Sequence, residues 1–235
     1  MTGGRDAPGP RVRLIRHAQA SWGSADYDCL SPLGQMQARQ LGQWLAAEPT
    51  TYTRVIRGSM RRHAQTLDAI ESAFAAAGRT LPATQIDDDW NEFAHEPVLA
   101  AYAQAHADDV TLAAAQNGDE RAQRAVLAAA VRAWHGGEFD GTVPETWAEF
   151  GARIAAARTR LHPAGGDILI ITSGGAMWRC VQSALGLDDA GLVKLGLMLR
   201  NTGISDFHHG DPCWRMLTWN EVPHLSAAEH LHTHY

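Results

Sequence analysis

Arg16-His17 closes the first apolar run of the chain, Val12-Arg13-Leu14-Ile15, and sets a nucleophilic side chain beside a phosphate-binding one. An imidazole next to a planar guanidinium at the end of a buried strand can attack phosphorus while the phosphoryl oxygens are held. By itself the pair reads equally well as a strand that ends in two polar residues. Three later segments change that balance. Arg62-His63-Ala64-Gln65-Thr66 follows an apolar run and a serine, which puts a second arginine at the start of a helix. Asn91-Glu92-Phe93, after the acidic run Asp87-Asp88-Asp89, offers a carboxylic acid that can move protons. Ile171-Thr172-Ser173-Gly174-Gly175 joins an apolar run to a helical one, and such a turn presents backbone N–H groups to an anion. Two arginines, one histidine, one carboxylate and one helix end compose a phosphate site.

The elements that must position these residues alternate between strand and helix. Arg11 to Ile15 reads as a buried strand, and 32–47 as an amphipathic helix with Met36, Leu41, Trp44 and Leu45 on its apolar side. Ser31-Pro32 is a natural start for it, serine as cap and proline in the first turn. Tyr52 to Ile56 is a second strand, and 62–77 a second helix. Residues 96–136 are alanine-rich, and the Gly118-Asp119 break divides them into two helices that form a cap insertion. A helix over 146–161 precedes Asp167 to Thr172, the strongest strand, and a helix over 176–185 follows it. Two short strands, 203–208 and 214–219, pair through Gly210-Asp211-Pro212. This pattern predicts an α/β fold, a three-layer α/β/α sandwich whose mostly parallel central sheet is flanked by helices.

Composition narrows the function. At 235 residues the chain fits a single large domain, with flexible ends at 1–10 and 226–235. The histidines at 230, 232 and 234 are expected on a frayed polar terminus. A net charge of −6 argues against nucleic acid as the main partner, although a few arginines can still make a positive pocket for a small phosphorylated substrate. No stretch is apolar enough to span a membrane, and the opening residues lack a signal-peptide run, so a cytoplasmic protein is expected. Cys29, Cys180 and Cys213 have no metal-type spacing and read as small buried apolar residues.

Together these motifs resemble the histidine phosphatase superfamily, the phosphoglycerate mutase-like proteins. Leu14-Ile15-Arg16-His17-Ala18-Gln19 is similar to the family's Arg-His-Gly signature, with alanine in the glycine place. Leu30-Ser31-Pro32-Leu33-Gly34-Gln35-Met36-Gln37-Ala38, Arg62 with Gln65-Thr66, and Asn220-Glu221-Val222-Pro223-His224-Leu225 resemble further family stretches, so the likeness runs from Val12 to Leu225. It implies that His17 is the nucleophile of a phosphohistidine mechanism, that Arg16 and Arg62 hold the phosphoryl oxygens, and that Glu92 is the general acid. It favours Arg62 over Arg61, whose place is the surface. It requires neither metal nor cofactor, and a homodimer is consistent with it. Gln19, Ser21, Ser173 and Gly174 are the expected substrate contacts. Trp22 and Trp90 are read as packing residues ahead of substrate contacts.

One departure stands out: Ser173 occupies the place of the family's second histidine. A hydroxyl donates one hydrogen bond and brings no positive charge. Loss of one preorganised donor typically costs about 100- to 1000-fold in rate, so reduced activity is expected. His95, three residues after Glu92, is the first candidate to fill the gap, ahead of His63, which is expected on a helix surface. His224 is expected to be structural. Gly23 stands where mutases of the family tend to carry asparagine, which favours a phosphatase over a mutase. An impaired member that only binds a phosphorylated or carboxylated ligand is the alternative.

Overall fold

The structure is a computed structural model, described over residues 10–21, 26–161, 165–188, 191–192, 199–209 and 214–234. Trp22, Gly23, Cys213 and the Gly210-Asp211-Pro212 turn lie outside the described residues. The chain forms two compact units, one made of the residues up to Glu92 with those from Ile154 onward, the other of Phe93–Arg153.

The first unit is built on six strands in the order β3-β2-β4-β1-β5-β6. They are β1 (Arg11–Arg16), β2 (Tyr52–Arg57), β3 (Thr84–Ile86), β4 (Asp167–Thr172), β5 (Ile204–His208) and β6 (Arg215–Met216). The β1/β4, β2/β4 and β2/β3 pairs are parallel, whereas β1/β5 and β5/β6 are antiparallel, so the expected mostly parallel α/β sheet is what the chain forms. Both faces of its centre are buried, which is why β4 reads as an unbroken apolar run rather than an alternation. On one face Ile15, Val55, Leu169 and Ile171 pack with Leu41, Leu45, Leu67, Ile70 and Phe74 of helices α1 (Pro32–Ala47) and α2 (Arg61–Ala76). Helix α7 (Gly174–Leu185) packs against β1 and β6.

Local chemistry explains most boundaries. Ser31 caps α1 by accepting from the Gly34 amide, and Pro32 fills the first turn. Gly186, at φ +62°, ends α7 in the left-handed region. Strand β6 is shorter than the expected 214–219, because the amides of Leu217 and Thr218 both go to the Asp206 carbonyl and the ladder ends there. β3, a three-residue edge strand that is mostly exposed, carries no alternation by which the sequence could announce it.

Met36 is exposed at 45 %, not on the apolar side of α1; the neighbouring Gln37 is fully buried instead. Gln37 takes that place because it is a hydrogen-bonding hub. Its Oε1 accepts from the Gln19 amide (2.9 Å), and its Nε2 donates to the Leu231 carbonyl (2.6 Å) and to Thr233 Oγ1 (2.8 Å). These bonds also correct the expectation of a frayed end over 226–235. Residues 229–231 form a 3-10 turn, Leu231 is buried, and the Asn201 amide donates to the Thr233 carbonyl (2.9 Å). Of the cysteines, Cys180 is buried, with its thiol pushed up to about 12 by burial, but Cys29 is only half-buried and its thiol meets Asp26.

The second unit holds three helices before residue 147, not two. They are α3 (His95–Ala105), α4 (Val110–Gln116) and α5 (Glu120–His135). Gly118, at φ +90°, makes the expected break, and an Asp109 cap accepting from the Thr111 amide makes the other. The unit extends past residue 136 because Trp147 and Phe150, at the start of α6 (Trp147–Thr159), pack on Trp134, which also stacks on Phe93 at 4.6 Å.

Candidate functional site

Parallel pairing brings the carboxyl ends of three strands to one edge. Arg16 pairs with Thr172, and Arg57 with Ile171, so His17, Ser173 and Gly58 leave the sheet side by side. In open α/β sheets this is the edge where ligands bind. Arg16, His17, Ser173, Gly174 and Arg62 hang from that edge or from the start of a helix beside it, and Glu92 follows the 3-10 turn Asp88–Trp90.

His17 is buried, and its backbone is fixed from both sides. Its amide donates to the Thr172 carbonyl (2.9 Å), and its carbonyl accepts from the Thr202 amide and Asn201 Nδ2, both at 3.3 Å. Nδ1 lies 2.7 Å from the Ala18 carbonyl. A carbonyl can only accept, so Nδ1 carries the proton and the lone pair is on Nε2. Burial, then Arg62, Arg16 and His63, hold the imidazole well below its usual range, so it is neutral near pH 7. The Nε2 lone pair accepts from Arg62 Nε at 3.1 Å.

The two arginines sit differently. Arg62, buried in the first turn of α2, donates from Nη1 to Asp28 (2.7 Å) and stands 5.4 Å from the Tyr27 ring. Arg61 next to it is an exposed residue paired with Asp26, as expected of a surface charge. Arg16 donates from Nη1 to the carbonyls of Leu199 (2.5 Å) and His234 (3.0 Å). Its Nε is buried with no partner among the described residues, an unmet donor that an anion's oxygen would satisfy. Burial, opposed by Glu92 and assisted by Arg62, lowers the Arg16 guanidinium to about 10, which leaves it cationic at neutral pH.

Glu92 comes to the same place. One of its oxygens accepts from the Gly175 amide at 3.0 Å, so the chain's own carboxylate takes an N–H of the α7 N-terminus. A Cβ built on Gly174 would lie 3.7 Å from Arg16 Nε and 3.9 Å from Glu92 Oε2. That glycine borders the space between the two side chains. Ser173 precedes it, fully buried, and its hydroxyl does not cap α7; it lies 2.7 Å from Nε2 of His63. Among the described residues no cluster of histidine, cysteine and carboxylate side chains has the arrangement to hold a metal ion.

The first unit thus brings together His17, Arg16, Arg62, Glu92, Ser173 and Gly174. His95 is the first residue of α3 and belongs to the second unit. Gln19 and Ser21 are engaged in the loop leading to α1: Gln19 Oε1 accepts from the Ser31 hydroxyl (2.7 Å), and the Ser21 amide donates to the Cys29 carbonyl (2.8 Å). Trp90 is fully buried, a packing residue whose carbonyl accepts from the Thr172 hydroxyl (2.5 Å). Thr66 links the two arginine motifs, its Oγ1 accepting from the Ala18 amide (3.1 Å) and donating to the Arg62 carbonyl (2.7 Å).

His63, Asn201 and Thr202 are not legible in the sequence as neighbours of His17, nor is Asp28 as the anchor of Arg62. His63 is fully buried, its ring centroid 5.6 Å from that of His17, which corrects its expected surface position. Thr202 has φ +58°, a costly conformation for a β-branched residue and one that aims its amide at the His17 carbonyl.

His224 supports this loop from behind and gives the first prediction. The Thr202 hydroxyl donates to the Asn201 carbonyl, so His224 Nε2–H donates to Thr202 Oγ1 at 2.8 Å. Burial, then His232, lowers His224 to about 4 from 6.5. Between these values the unfolded chain holds more protons than the folded one, so stability falls as pH falls through that window, by at most about 3 kcal/mol for this group. His17 and His63, also lowered, act in the same sense. Melting temperatures measured from pH 7 to 4.5 should drop in the native protein and drop less in His224→Gln.

A buried neutral imidazole under the influence of two guanidinium groups, at the carboxyl edge of parallel strands, is the centre of this α/β site. The family model for the histidine phosphatase superfamily, branch 1, matches residues 12–222, and the chain belongs to that superfamily. No curated protein matches the sequence significantly. Solved structures share the fold at low identity. A phosphoserine phosphatase mutant from Entamoeba histolytica in complex with phosphoserine is 18% identical, with a TM-score of 0.62 over 92% of this chain and 99% of that one. Phosphoglycerate mutase from Bacillus anthracis is 15% identical, with a TM-score of 0.63 over 95% and 98%. A mycobacterial glucosyl-3-phosphoglycerate phosphatase in complex with inorganic phosphate is 20% identical, with a TM-score of 0.58 over 92% and 100%.

Proposed function

We propose that the protein is a phosphomonoesterase acting on a small phosphorylated molecule through phospho-His17, without a metal or other cofactor. The observation that carries this reading is the state of His17, with Nδ1–H committed to the Ala18 carbonyl and the Nε2 lone pair facing the Arg62 guanidinium. Arg62 Nε–H points where a phosphoryl oxygen would accept, so an arriving phosphate exchanges an N–H···N contact for an N–H···O one and frees the lone pair. Nε2 then bonds to phosphorus as the ester P–O bond breaks, and the leaving oxygen takes a proton from Glu92. In the second step water gives a proton to Glu92, attacks phosphorus and breaks the P–N bond, releasing inorganic phosphate. Arg16 Nε and Arg62 neutralise the transferring group throughout. Ser173 and Gly174 line the phosphate subsite, and Ser173 stands where the family usually carries its second histidine. Hydrolysis is favoured over mutase chemistry because a mutase would need further cationic contacts for a doubly phosphorylated intermediate.

The test is release of inorganic phosphate from p-nitrophenyl phosphate and a panel of alkyl phosphomonoesters, with Glu92→Gln in parallel. In kcat/KM, which reports formation of phospho-His17 and not its hydrolysis by the Glu92-activated water, the variant should lose about 100-fold or more on alkyl esters, whose leaving groups need a proton, and much less on p-nitrophenyl phosphate, whose leaving group does not. Binding of phosphate esters with no release of phosphate from any of them would instead favour a ligand-binding member of the family.

A further inference from the structure

His63 is a buried titratable residue that the proposed reaction does not use, and the fold gives up space and bonding to keep it. A Cβ at Gly58 would stand 2.4 Å from its Nδ1, so the glycine at the end of β2 is what admits the ring. Burial, then Arg62 and Arg57, outweigh the opposing Gly58 backbone, hold it well below the usual histidine range and keep it uncharged. Its Nε2 lies 2.7 Å from Ser173 Oγ.

Ser173 gives up something too. A serine at the N-cap of a helix ordinarily accepts from an amide of the first turn, a bond worth about 1 kcal/mol. Ser173 is the N-cap of α7 with extended backbone (φ −113°, ψ 169°), yet its hydroxyl makes no capping bond and turns to His63. Its neighbours are tied to the reacting groups: the Thr172 carbonyl accepts from the His17 amide, and Gly174 borders Arg16 Nε and Glu92. The hydroxyl therefore lies at the rim of the phosphate subsite, fixed by a ring that lies within 5.6 Å of the nucleophile's ring.

Resting on the phosphatase reading above, we propose that Ser173 donates its hydroxyl hydrogen to a phosphoryl oxygen and that His63 is the positioning residue that holds that hydroxyl in place. His63 Nδ1 makes no hydrogen bond among the described residues, so the ring is free to carry its proton on Nε2, donate it to Ser173 Oγ and leave the serine hydrogen for the phosphate. A neutral donor set by a neutral ring adds a hydrogen bond to the subsite without a third buried cation beside Arg16 and Arg62. This division of labour accounts for a histidine on α2 facing a serine on α7.

A double-mutant cycle tests it, with kcat/KM on p-nitrophenyl phosphate and calorimetric affinity for inorganic phosphate as readouts. Ser173→Ala, a small change in a buried site, should lower both by about 10- to 100-fold, the worth of one hydrogen bond to a charged group. His63→Ala should lower them by a similar factor, the double variant no further than Ser173→Ala, and His63→Gln, whose amide nitrogen can reach the serine, should recover most of the loss. Multiplying losses in the double variant, no effect of Ser173→Ala, or a His63→Gln protein as impaired as His63→Ala at unchanged melting temperature would each overturn the proposal. If the native protein hydrolyses no ester, the phosphatase reading fails, and phosphate affinity still decides this one: Ser173- and His63-dependent binding supports it, and absent or independent binding overturns it.

Discussion

His17→Ala is expected to lower hydrolysis of phosphomonoesters by about 10⁴-fold or more, because it removes the atom that bonds to phosphorus and no neighbour can replace it. The neighbouring imidazole of His63 is fully buried and its Nε2 is committed to Ser173. The fold should survive, since the Thr172, Asn201 and Thr202 contacts at this position are to backbone atoms. The native enzyme, quenched in base during turnover, should carry a phosphoryl mass increment on the peptide containing His17, and the variant none. Turnover in His17→Ala equal to that of the native protein would end the phosphohistidine mechanism. The pH dependence follows from the same site. Nε2 attacks only when unprotonated, and burial with two adjacent guanidinium groups holds the ring well below its usual range. The acid limb of kcat/KM should therefore fall well below pH 6.5, measured at a temperature where the acid-weakened protein is still folded.

Much of this arrangement could be read from residue order. Strand, small-residue turn and helix recur twice, and parallel pairing then brings Arg16-His17 and Ser173-Gly174 to the same edge without further information. The bounds of α1 were equally plain, because Ser31-Pro32 carries the start signal in its own chemistry. What stayed hidden is set by contacts across long sequence distances. His63 looks like a surface residue in α2 because its partner, Ser173, lies 110 positions away and its space is made by Gly58. Gln37 looks exposed for the same reason, since the groups that satisfy its amide belong to the C-terminal segment. That segment reads as polar and unstructured, yet its backbone carbonyls serve Gln37 and Arg16, and a carbonyl donates no sequence signal. The three-helix count in the second unit was missed because Asp109 caps a helix in a stretch whose composition hardly changes.

Arg62→Lys should cost about 1000-fold in kcat/KM, a loss larger than one charge-conserving change suggests. Arg62 uses separate nitrogens at once: Nε faces His17 Nε2 while Nη1 is anchored on Asp28. A lysine ammonium is a single point and cannot keep the Asp28 anchor and also meet a phosphoryl oxygen beside His17. The charge itself remains near His17, so the acid limb of the pH profile should move little in Arg62→Lys. In Arg62→Ala the charge is gone, one of the influences that lower the imidazole is lost, and the limb should move up toward 6.5. The two variants thus separate geometry from charge: both lose rate, and only the alanine variant shifts the profile. Full kcat/KM profiles of the three proteins on p-nitrophenyl phosphate decide it. A lysine variant within tenfold of the native rate would mean that Arg62 acts by its charge alone and that the fork between Asp28 and His17 is not needed for transfer.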